Sequence, residues 1–469
     1  METDEKPSCV SRYICNIKFF AFICICLGVI LGILYYPNAW KLLESIGQPE
    51  SENEVKPIDS TDKPKHSTKN WDDDEEINIL REYLRIPSVH PNIDYEPCVE
   101  FLTRQAKSLD LPMSVYYPVN DKNPVVVITW DGLKPELSSI MLNSHMDVVP
   151  VYEKFWTHPP FAAEIDENGD IFARGSLDMK SIGMQYLAAI RALKRQGVKQ
   201  MNRTVHVIFV PDEEMGGMHG MYGFIQSEEF KALNIGFMLD EGGGIETTPN
   251  ELGAYYSEKT AWMLELIFHG HSGHGSKLFN DTVGEKLSYV VNKFMEFRFV
   301  ESWKLNVLRY PIGQVTSINL TILKGGTENN VIPPEMNAIF DIRHSVDADL
   351  DEFEKQVEQW CEEAGGNITI NYIQKGPKAL ATPIDDTNPF WQPLLNAVTE
   401  FNLKVTPQIM FATTDSRFIR SLNIPAIGFN AYVNSTLHSV HGHNEFLNAD
   451  IYLFGIDVYK KIIEHVTNV

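Results

Sequence analysis

Short apolar runs rich in β-branched residues recur along the chain and constrain its fold more than any other feature. They lie at residues 125–129, 140–142, 205–210, 235–239 and 425–429. Runs of this length and composition are typical of buried strands. A helical pattern at 179–197 separates two of them. Strands that alternate with helices in units of about 30 residues predict an α/β fold, with a mostly parallel sheet and helices on both faces.

Acidic residues and histidines follow these runs, at the points where the strands are expected to end. They are His145, Asp147, Asp178, Asp212, Glu213, Glu214, Asp240, Glu241, His438, His441 and His443. In a parallel sheet the carboxyl ends of the strands form one edge, where ligands bind. Burying so many carboxylates at one edge is costly without cations. Imidazole and carboxylate donors without thiolate suit zinc, with manganese or cobalt also possible, and two ions would use this many ligands more naturally than one.

The pair Glu213 and Glu214 predicts a division of roles. Consecutive side chains of an extended strand end face opposite ways, so both should not bind one ion. One can bind a metal ion while the other accepts a proton from water, as metal-assisted hydrolysis requires. Asp147 lies two residues beyond His145, where its carboxylate can orient the imidazole.

The N-terminal region predicts a membrane anchor. Residues 19–36 contain no charge and no proline, and the uncharged stretch continues to Trp40, which is long enough for a helix to span a bilayer. More basic residues precede this segment than follow it nearby, which favours a cytosolic N-terminus. We expect a tail at 1–18, a transmembrane signal anchor at 19–40, and a single-pass type II protein with a luminal or extracellular body. The alternative is a secreted protein whose signal peptide is cleaved.

Residues 41–70 are predicted to form a flexible stalk, because from Gly47 onward they are polar, contain prolines and lack aromatics. Folded structure should begin near Trp71. The formal net charge of −23 repels phosphate backbones and argues against a nucleic-acid partner. Only Cys98 and Cys361 lie in the folded part, which excludes a disulfide framework beyond one bridge.

Eight longer motifs can be recognised along the chain, and most of them contain the polar residues described above. They are NSHMDVVPV (143–151), ARGSLDMKS (173–181), FVPDEEMGG (209–217), LDEG (239–242), GHSGHGS (270–276), NNVIPPEMNAIFDIR (329–343), TTDSRFIR (413–420) and HGHNE (441–445). As a set they resemble the di-zinc amidohydrolase and exopeptidase family, which includes aminoacylases, carnosinases and succinyl-diaminopimelate desuccinylase. The resemblance covers residues 72–469 and is strongest to the aminoacylase-1 members.

The resemblance implies two zinc ions per subunit, bridged by Asp178. One ion would be held by His145, Asp178 and Asp240, and the other by Asp178, Glu214 and His441. Glu213 would be the general base, in agreement with the strand geometry. The two other histidines in this part of the chain, His438 and His443, would be neighbours of the site. The family often has a cis peptide bond after its bridging aspartate, here between Asp178 and Met179.

The same resemblance divides the folded part in two. Residues 71–255 and 380–469 would form the zinc catalytic domain, and residues 256–379 an inserted α+β satellite domain. The satellite domain would join two subunits as a homodimer and lend His274 to the partner's site, to stabilise the oxyanion of a tetrahedral intermediate. The alternative is that His274 lies in an exposed polar turn among glycines.

Three residues are candidates for holding the substrate by resemblance: Asn330, Arg343 and Arg417. A guanidinium group suits bidentate capture of a free carboxylate, which would select substrates with a terminal α-carboxylate. Either arginine could instead pair within the protein, with Asp341 or Asp415.

The reaction that these residues imply is hydrolysis of N-acyl-L-amino acids to a carboxylate and a free amino acid. A dipeptidase or carboxypeptidase would use the same metals with a different acyl pocket. The predicted anchor makes fatty-acyl amino acid conjugates plausible substrates. A binding protein that kept the fold and lost the reaction should lack a ligand or the base, and the sequence lacks neither.

Overall fold

Strands and helices alternate along the part of the chain that the computed structural model describes, residues 71–242, 250–433 and 440–469. The strands are β1 (Met113–Tyr116), β2 (Val125–Trp130), β3 (Ser139–His145), β4 (Glu164–Ile165), β5 (Asp170–Phe172), β6 (Val205–Val210), β7 (Ile235–Asp240), β8 (Glu251–Glu258), β9 (Thr260–His269), β10 (Gly273–His274), β11 (Ser317–Gly325), β12 (Val331–Ile332), β13 (Glu335–His344), β14 (Ile368–Lys375), β15 (Lys404–Met410), β16 (Ala426–Phe429) and β17 (Phe446–Asn448). The α-helices are α1 (Glu75–Leu84), α2 (Glu96–Ser108), α3 (Lys180–Arg195), α4 (Met221–Ile225), α5 (Glu228–Ala232), α6 (Val283–Asn306), α7 (Leu350–Glu363), α8 (Trp391–Thr399), α9 (Ser416–Ser421) and α10 (Ala449–Val466).

The largest sheet has eight strands, in the order β1-β2-β6-β3-β7-β16-β8-β15. Strand β3 runs parallel to β6 and β7, and β16 runs parallel to β7. The pairs β1–β2, β2–β6 and β16–β8 are antiparallel. Only residues 117–124 join β1 to β2, which leaves no room for the crossover that a parallel pair needs. The structure confirms the α/β class. The sheet, expected to be mostly parallel, is mixed, with four parallel pairs and three antiparallel pairs among its described strands.

Helices cover both faces of this sheet. Val126 and Ile128 of β2 pack in one apolar core with residues of α1, α2, α3, α8 and α10. Val125 of the same strand packs in a second core, together with Met221 and Phe224 of α4. A strand buried on both faces reads as a continuous apolar run, which explains why the central strands could be predicted from the sequence.

A second sheet of four antiparallel strands, in the order β11-β13-β9-β14, has its own apolar core. Helices α6 and α7 pack on it, and the ring of Phe294 in α6 stacks on Phe340 of β13 with centroids 4.1 Å apart. These elements lie inside the predicted satellite range, 256–379. All described residues belong to one compact unit, Thr68–Val469, and the division into two domains stays a prediction.

The chain passes between the large sheet and the four-stranded sheet twice. Lys259 alone separates β8 from β9, and the chain returns after β14. The backbone N–H of Gly376 donates to the carbonyl of Ala261 at 3.1 Å, and that of Thr382 donates to the carbonyl of Tyr256 at 2.7 Å. The junction is therefore tied by backbone hydrogen bonds on both of its sides.

The membrane prediction requires correction. Within residues 71–242, 250–433 and 440–469, no helix is long and apolar enough to cross a membrane. The longest α-helix of this part, α6, carries charged residues along its length. This finding gives no support to the predicted single-pass location with a luminal or extracellular body. The predicted tail, anchor and stalk, residues 1–70, lie outside the described residues.

Candidate metal centre and cleft

His145, Asp178 and Glu241 form a cluster of potential metal donors. His145 is the last residue of β3, Asp178 precedes α3, and Glu241 follows β7. The His145 Nε2 atom lies 3.0 Å from Asp178 Oδ1 and 3.9 Å from Glu241 Oε2. One donor atom from each residue lies within 4.8 Å of the others. The three side chains could therefore share one ion.

A second cluster shares Asp178 with the first. His441 Nε2 lies 3.1 Å from Asp178 Oδ2 and 3.2 Å from Glu214 Oε2, and the donor atoms of this group also lie within 4.8 Å of one another. Asp178 thus directs one carboxylate oxygen toward each cluster. The peptide bond that follows it, to Met179, is cis, as the resemblance implied.

The structure does not bring Asp240 into either cluster. Its Oδ1 accepts a hydrogen bond from Asn143 Nδ2 at 2.9 Å, and its Oδ2 accepts two from the backbone N–H and the hydroxyl of Ser416, both at 2.8 Å. Glu241 occupies the place that Asp240 was predicted to take. The alternation of side chains at a strand end, applied above to Glu213 and Glu214, could have distinguished these two neighbours as well.

Asp147 lies beneath the clusters and organises their backbone. Its carboxylate accepts hydrogen bonds from the backbone N–H groups of Glu213 (3.2 Å) and Glu214 (3.0 Å), and pairs with His90 Nε2 at 2.8 Å. The imidazole of His145 contacts it mainly through the backbone, with Nδ1 2.8 Å from the Asp147 carbonyl oxygen. Burial opposes ionisation, but the hydrogen bonds with His145 and His90 lower the pKa of Asp147 to about 2. Sequence reasoning missed His90, because no strand-end pattern marks it.

Three glutamates at the centre are destabilised in their charged form. Burial raises the pKa of Glu213 and Glu241 well above the usual range. Burial acts on Asp178 in the same direction, but its hydrogen bonds with His145 and His441 lower its pKa. Burial and the charge of Asp178 also raise the pKa of Glu214, whose Oε1 is buried and has no hydrogen-bond partner among the described residues. A divalent cation would offset the repulsion and bind the orphaned oxygen. Imidazole and carboxylate donors therefore fit such an ion.

The loop around His441 supplies one side of the centre. His441 has a left-handed backbone conformation with φ of 60°, which is uncommon for a residue other than glycine and often marks a functional site. The ring of His443 packs against Tyr152 and Phe155 instead, with centroids 6.4 and 5.0 Å away. His443 is thus a neighbour, as expected, and His438 lies outside the described residues.

The two predicted substrate arginines are engaged within the protein. Arg343 forms a bidentate pair with Asp341, through Nε at 2.7 Å and Nη2 at 3.1 Å. Arg417 donates to the carbonyl oxygens of Thr414 (2.7 Å) and Gly216 (2.8 Å), rather than to Asp415. Both arginines nevertheless line the same cleft as the donor clusters.

The structure does not bring His274 or Asn330 to the clusters within one chain. Residues of β10 and β12 pair, with His274 opposite Val331, and the N–H of Gly275 donates to the carbonyl of Asn330 at 2.7 Å. His274 and Asn330 are both exposed. They lie next to each other on the surface of the four-stranded half of the protein.

A cleft of about 1640 Å³ is lined by donor residues of both clusters. Residues of the large sheet, including Asp178, Glu213 and Glu241, line one part of it. Lys259 and Arg343, from the junction and the four-stranded sheet, line another. The cleft therefore places a polar, acidic centre and cationic groups within one volume large enough for a small-molecule substrate.

Comparison with known proteins identifies the class. Residues 141–465 match the model of Peptidase family M20/M25/M40. The chain belongs to this family.

Among individual proteins, the chain is similar in sequence to aminoacylases and in fold to solved peptidase structures. Aminoacylase-1A of Rattus norvegicus is 43% identical over 394 residues, which are 84% of this chain and 95% of that protein. Aminoacylase-1 of Homo sapiens is 42% identical over the same shares. Among solved structures, the M20 family metallo-carboxypeptidase Sso-CP2 from Sulfolobus solfataricus has a TM-score of 0.64 at 18% identity, covering 84% of this chain and 100% of that one. Human carnosine dipeptidase 1 has a TM-score of 0.64 at 13% identity, covering 84% and 96%.

Metal-free protein should lose thermal stability as the pH rises. Hydrogen bonds with Asp178 and Glu214 raise the pKa of His441 to about 10. Its protonation therefore stabilises the fold fully below the unfolded pKa of about 6.5, and this contribution disappears as the pH approaches 10. Because a bound dication replaces the proton, the difference in Tm between metal-loaded and chelator-treated protein should grow across this range.

Differential scanning fluorimetry at several pH values measures this difference. His441→Asn is the control, since it removes the titrating group and should flatten the pH dependence of the chelator-treated protein. A difference in Tm that stays constant from pH 6.5 to 10 would contradict competition between protons and metal at this site.

Proposed function

We propose that this protein is a metal-dependent aminoacylase, which hydrolyses the amide bond of N-acyl-L-amino acids to a carboxylate and a free L-amino acid. The observation that carries the proposal is the pair of donor clusters that share Asp178, with Glu213 beside them in the same cleft. The identity of 42–43% to aminoacylase-1 of mammals, over nearly the whole length of those proteins, supports the same reaction.

Two divalent ions would occupy the centre, most naturally zinc, with manganese or cobalt as alternatives. One would be held by His145, Asp178 and Glu241, and the other by Asp178, Glu214 and His441. When bound, such ions supply Lewis-acid polarisation of the amide carbonyl and lower the pKa of water. The unpaired Oε1 of Glu214 supports a role for this residue as a ligand.

Glu213 is the proposed general base. It lines the cleft, and no described residue donates a hydrogen bond to its carboxylate, which leaves that group available to water. Burial raises its pKa, which makes it a better proton acceptor than an ordinary carboxylate. Glu213 would accept the proton of the attacking water and return it to the leaving nitrogen. Asp147 would hold the backbone of Glu213 in place through the 3.2 Å hydrogen bond.

We further propose that the protein acts as a homodimer, with residues 71–255 and 380–469 as catalytic domain and 256–379 as satellite domain. Strand β11 lies at the edge of its sheet, and Ile322 and Leu323 on it are exposed, as are Phe299 and Trp303 on α6. Exposed apolar groups clustered on an edge strand and a helix favour contact with another protein surface. The partner's His274 would then stabilise the oxyanion, and its Asn330 would contact the substrate.

A peptidase activity is the second candidate. Solved structures of the same fold include a metallo-carboxypeptidase and a dipeptidase, and the same metal chemistry would cleave a peptide bond. Met215, Met218 and Tyr222 are exposed at the rim of the cleft, so a long acyl group is a further alternative. Comparing turnover of N-acetyl, N-fatty-acyl and N-aminoacyl amino acids distinguishes an ordinary aminoacylase, a hydrolase of fatty-acyl conjugates and a peptidase.

Glu213→Gln should abolish most turnover without releasing metal. The amide cannot accept a proton, and general acid–base catalysis contributes about 10²–10⁴-fold, so kcat on an N-acetyl-L-amino acid should fall by that factor. Metal content by inductively coupled plasma mass spectrometry should match the wild type. Glu228→Gln, at an exposed position on α5, is the control and should keep full activity. Normal turnover by Glu213→Gln would end the general-base assignment.

His274 from one subunit should complete the site of the other. Glu213→Gln and His274→Ala homodimers should each be nearly inactive. After subunit exchange, each heterodimer would contain one site with both Glu213 and a partner His274, so roughly a quarter of wild-type activity should return. Native mass spectrometry confirms the exchange. If heterodimers form and no activity returns, His274 does not act across the interface.

A further inference from the structure

Lys259 lies at the junction between the two sheets, in the wall of the cleft. It is the single residue between β8 and β9, and its backbone N–H donates to the carbonyl of Met410 at 3.0 Å. Both neighbours in sequence are fixed. Glu258 pairs with Arg420 at 2.9 Å, and the hydroxyl of Thr260 accepts a hydrogen bond from the N–H of Ala379 at 2.9 Å. The backbone therefore holds the side chain of Lys259 in a defined place.

The charge of Lys259 is buried without a partner. The residue is 1% exposed and lines the cleft, yet no described residue forms an ion pair or hydrogen bond with its ammonium group. Two other lysines with similar burial differ. The ammonium of Lys180 donates to the carbonyl of Ile86 at 2.7 Å, and that of Lys286 to the carbonyl of His269 at 2.9 Å. Since a buried ammonium without a partner is costly, Lys259 is poised to pair with an incoming anion.

Other cationic groups that line this cleft already have partners. The guanidinium of Arg343 is held by Asp341, and the ammonium of Lys375 lies 2.6 Å from Glu354. The negative charge of Glu301 acts on the ammonium of Lys259 without forming an ion pair with it. Burial and the positive charge of Arg343 lower the pKa of Lys259 to about 8, against an opposing effect of Glu301. At neutral pH it remains mostly protonated, so it can bind an anion.

We propose that Lys259 binds the α-carboxylate of the substrate and so determines the preference for N-acyl amino acids with a free carboxyl group. This inference rests on the proposed function, which supplies the carboxylate. The ammonium would form an ion pair in a site of low solvent exposure, where charged partners are strongly coupled. A substrate that lacks the carboxylate leaves the lysine unpaired, and the enzyme should discriminate against it for that reason.

The test compares an N-acetyl-L-amino acid with its C-terminal amide, which has no carboxylate. Lys259→Met keeps the apolar stem and removes the charge, so kcat/KM for the acid should fall by about 10²-fold, mainly through KM. The value for the amide should stay the same or rise. Lys259→Arg keeps the charge and should retain the preference for the acid. Lys375→Met is the matched control, because that lysine lines the same cleft but is paired.

The outcomes distinguish the inference from the function on which it rests. If Lys259→Met leaves the preference for the acid intact, or lowers turnover of acid and amide equally, Lys259 does not bind the carboxylate. If the wild-type protein cleaves neither compound, the proposed function fails, and the inference fails with it. Should Lys259→Met not fold, as judged by its Tm, Lys259→Gln carries the same comparison with a polar neutral side chain.

Discussion

The carboxylate of Asp178 is the contact through which distant parts of the chain meet. Its two oxygens lie 3.0 Å from His145 Nε2 and 3.1 Å from His441 Nε2, although these histidines are almost 300 positions apart in sequence. Glu445 supports the arrangement, because its Oε1 accepts hydrogen bonds from the N–H groups of Leu177 at 2.8 Å and Gly175 at 3.1 Å. The loop that carries His441 is thus tied to the loop that carries Asp178. Every donor of the centre depends on this alignment.

The cleft combines two electrostatic environments. At the centre, several carboxylates are held close together, an arrangement that a bound cation would stabilise. At the junction with the four-stranded sheet, Lys259 contributes a buried positive charge with no counterion in direct contact. An N-acyl amino acid combines a neutral amide with an anionic carboxylate. The two environments would therefore orient this substrate, with the amide at the metals and the carboxylate at the lysine.

The sequence allowed the central strands and most residues of the donor clusters to be predicted, because β6 and β7 read as apolar runs ended by acidic residues. Two features could not be predicted in that way, and a third, Glu241 in place of Asp240, was missed although the alternation of side chains at a strand end indicates it. The antiparallel entry of β1 into the sheet depends on a short loop, and the His90 contact depends on residues 57 positions apart. The choice of Glu241 over Asp240 depends on hydrogen bonds that Asn143 and Ser416 make to the latter. The pairing of Arg343 with Asp341, left open above, follows from their position on one face of β13.

The most direct test of the shared role of Asp178 is anomalous diffraction at the zinc absorption edge, from crystals of the protein loaded with zinc. We predict two peaks per subunit with Asp178 between them, one bound by His145 and Glu241 and the other by Glu214 and His441. A single peak, or a zinc ion bound by Asp240 in place of Glu241, would contradict the assignment.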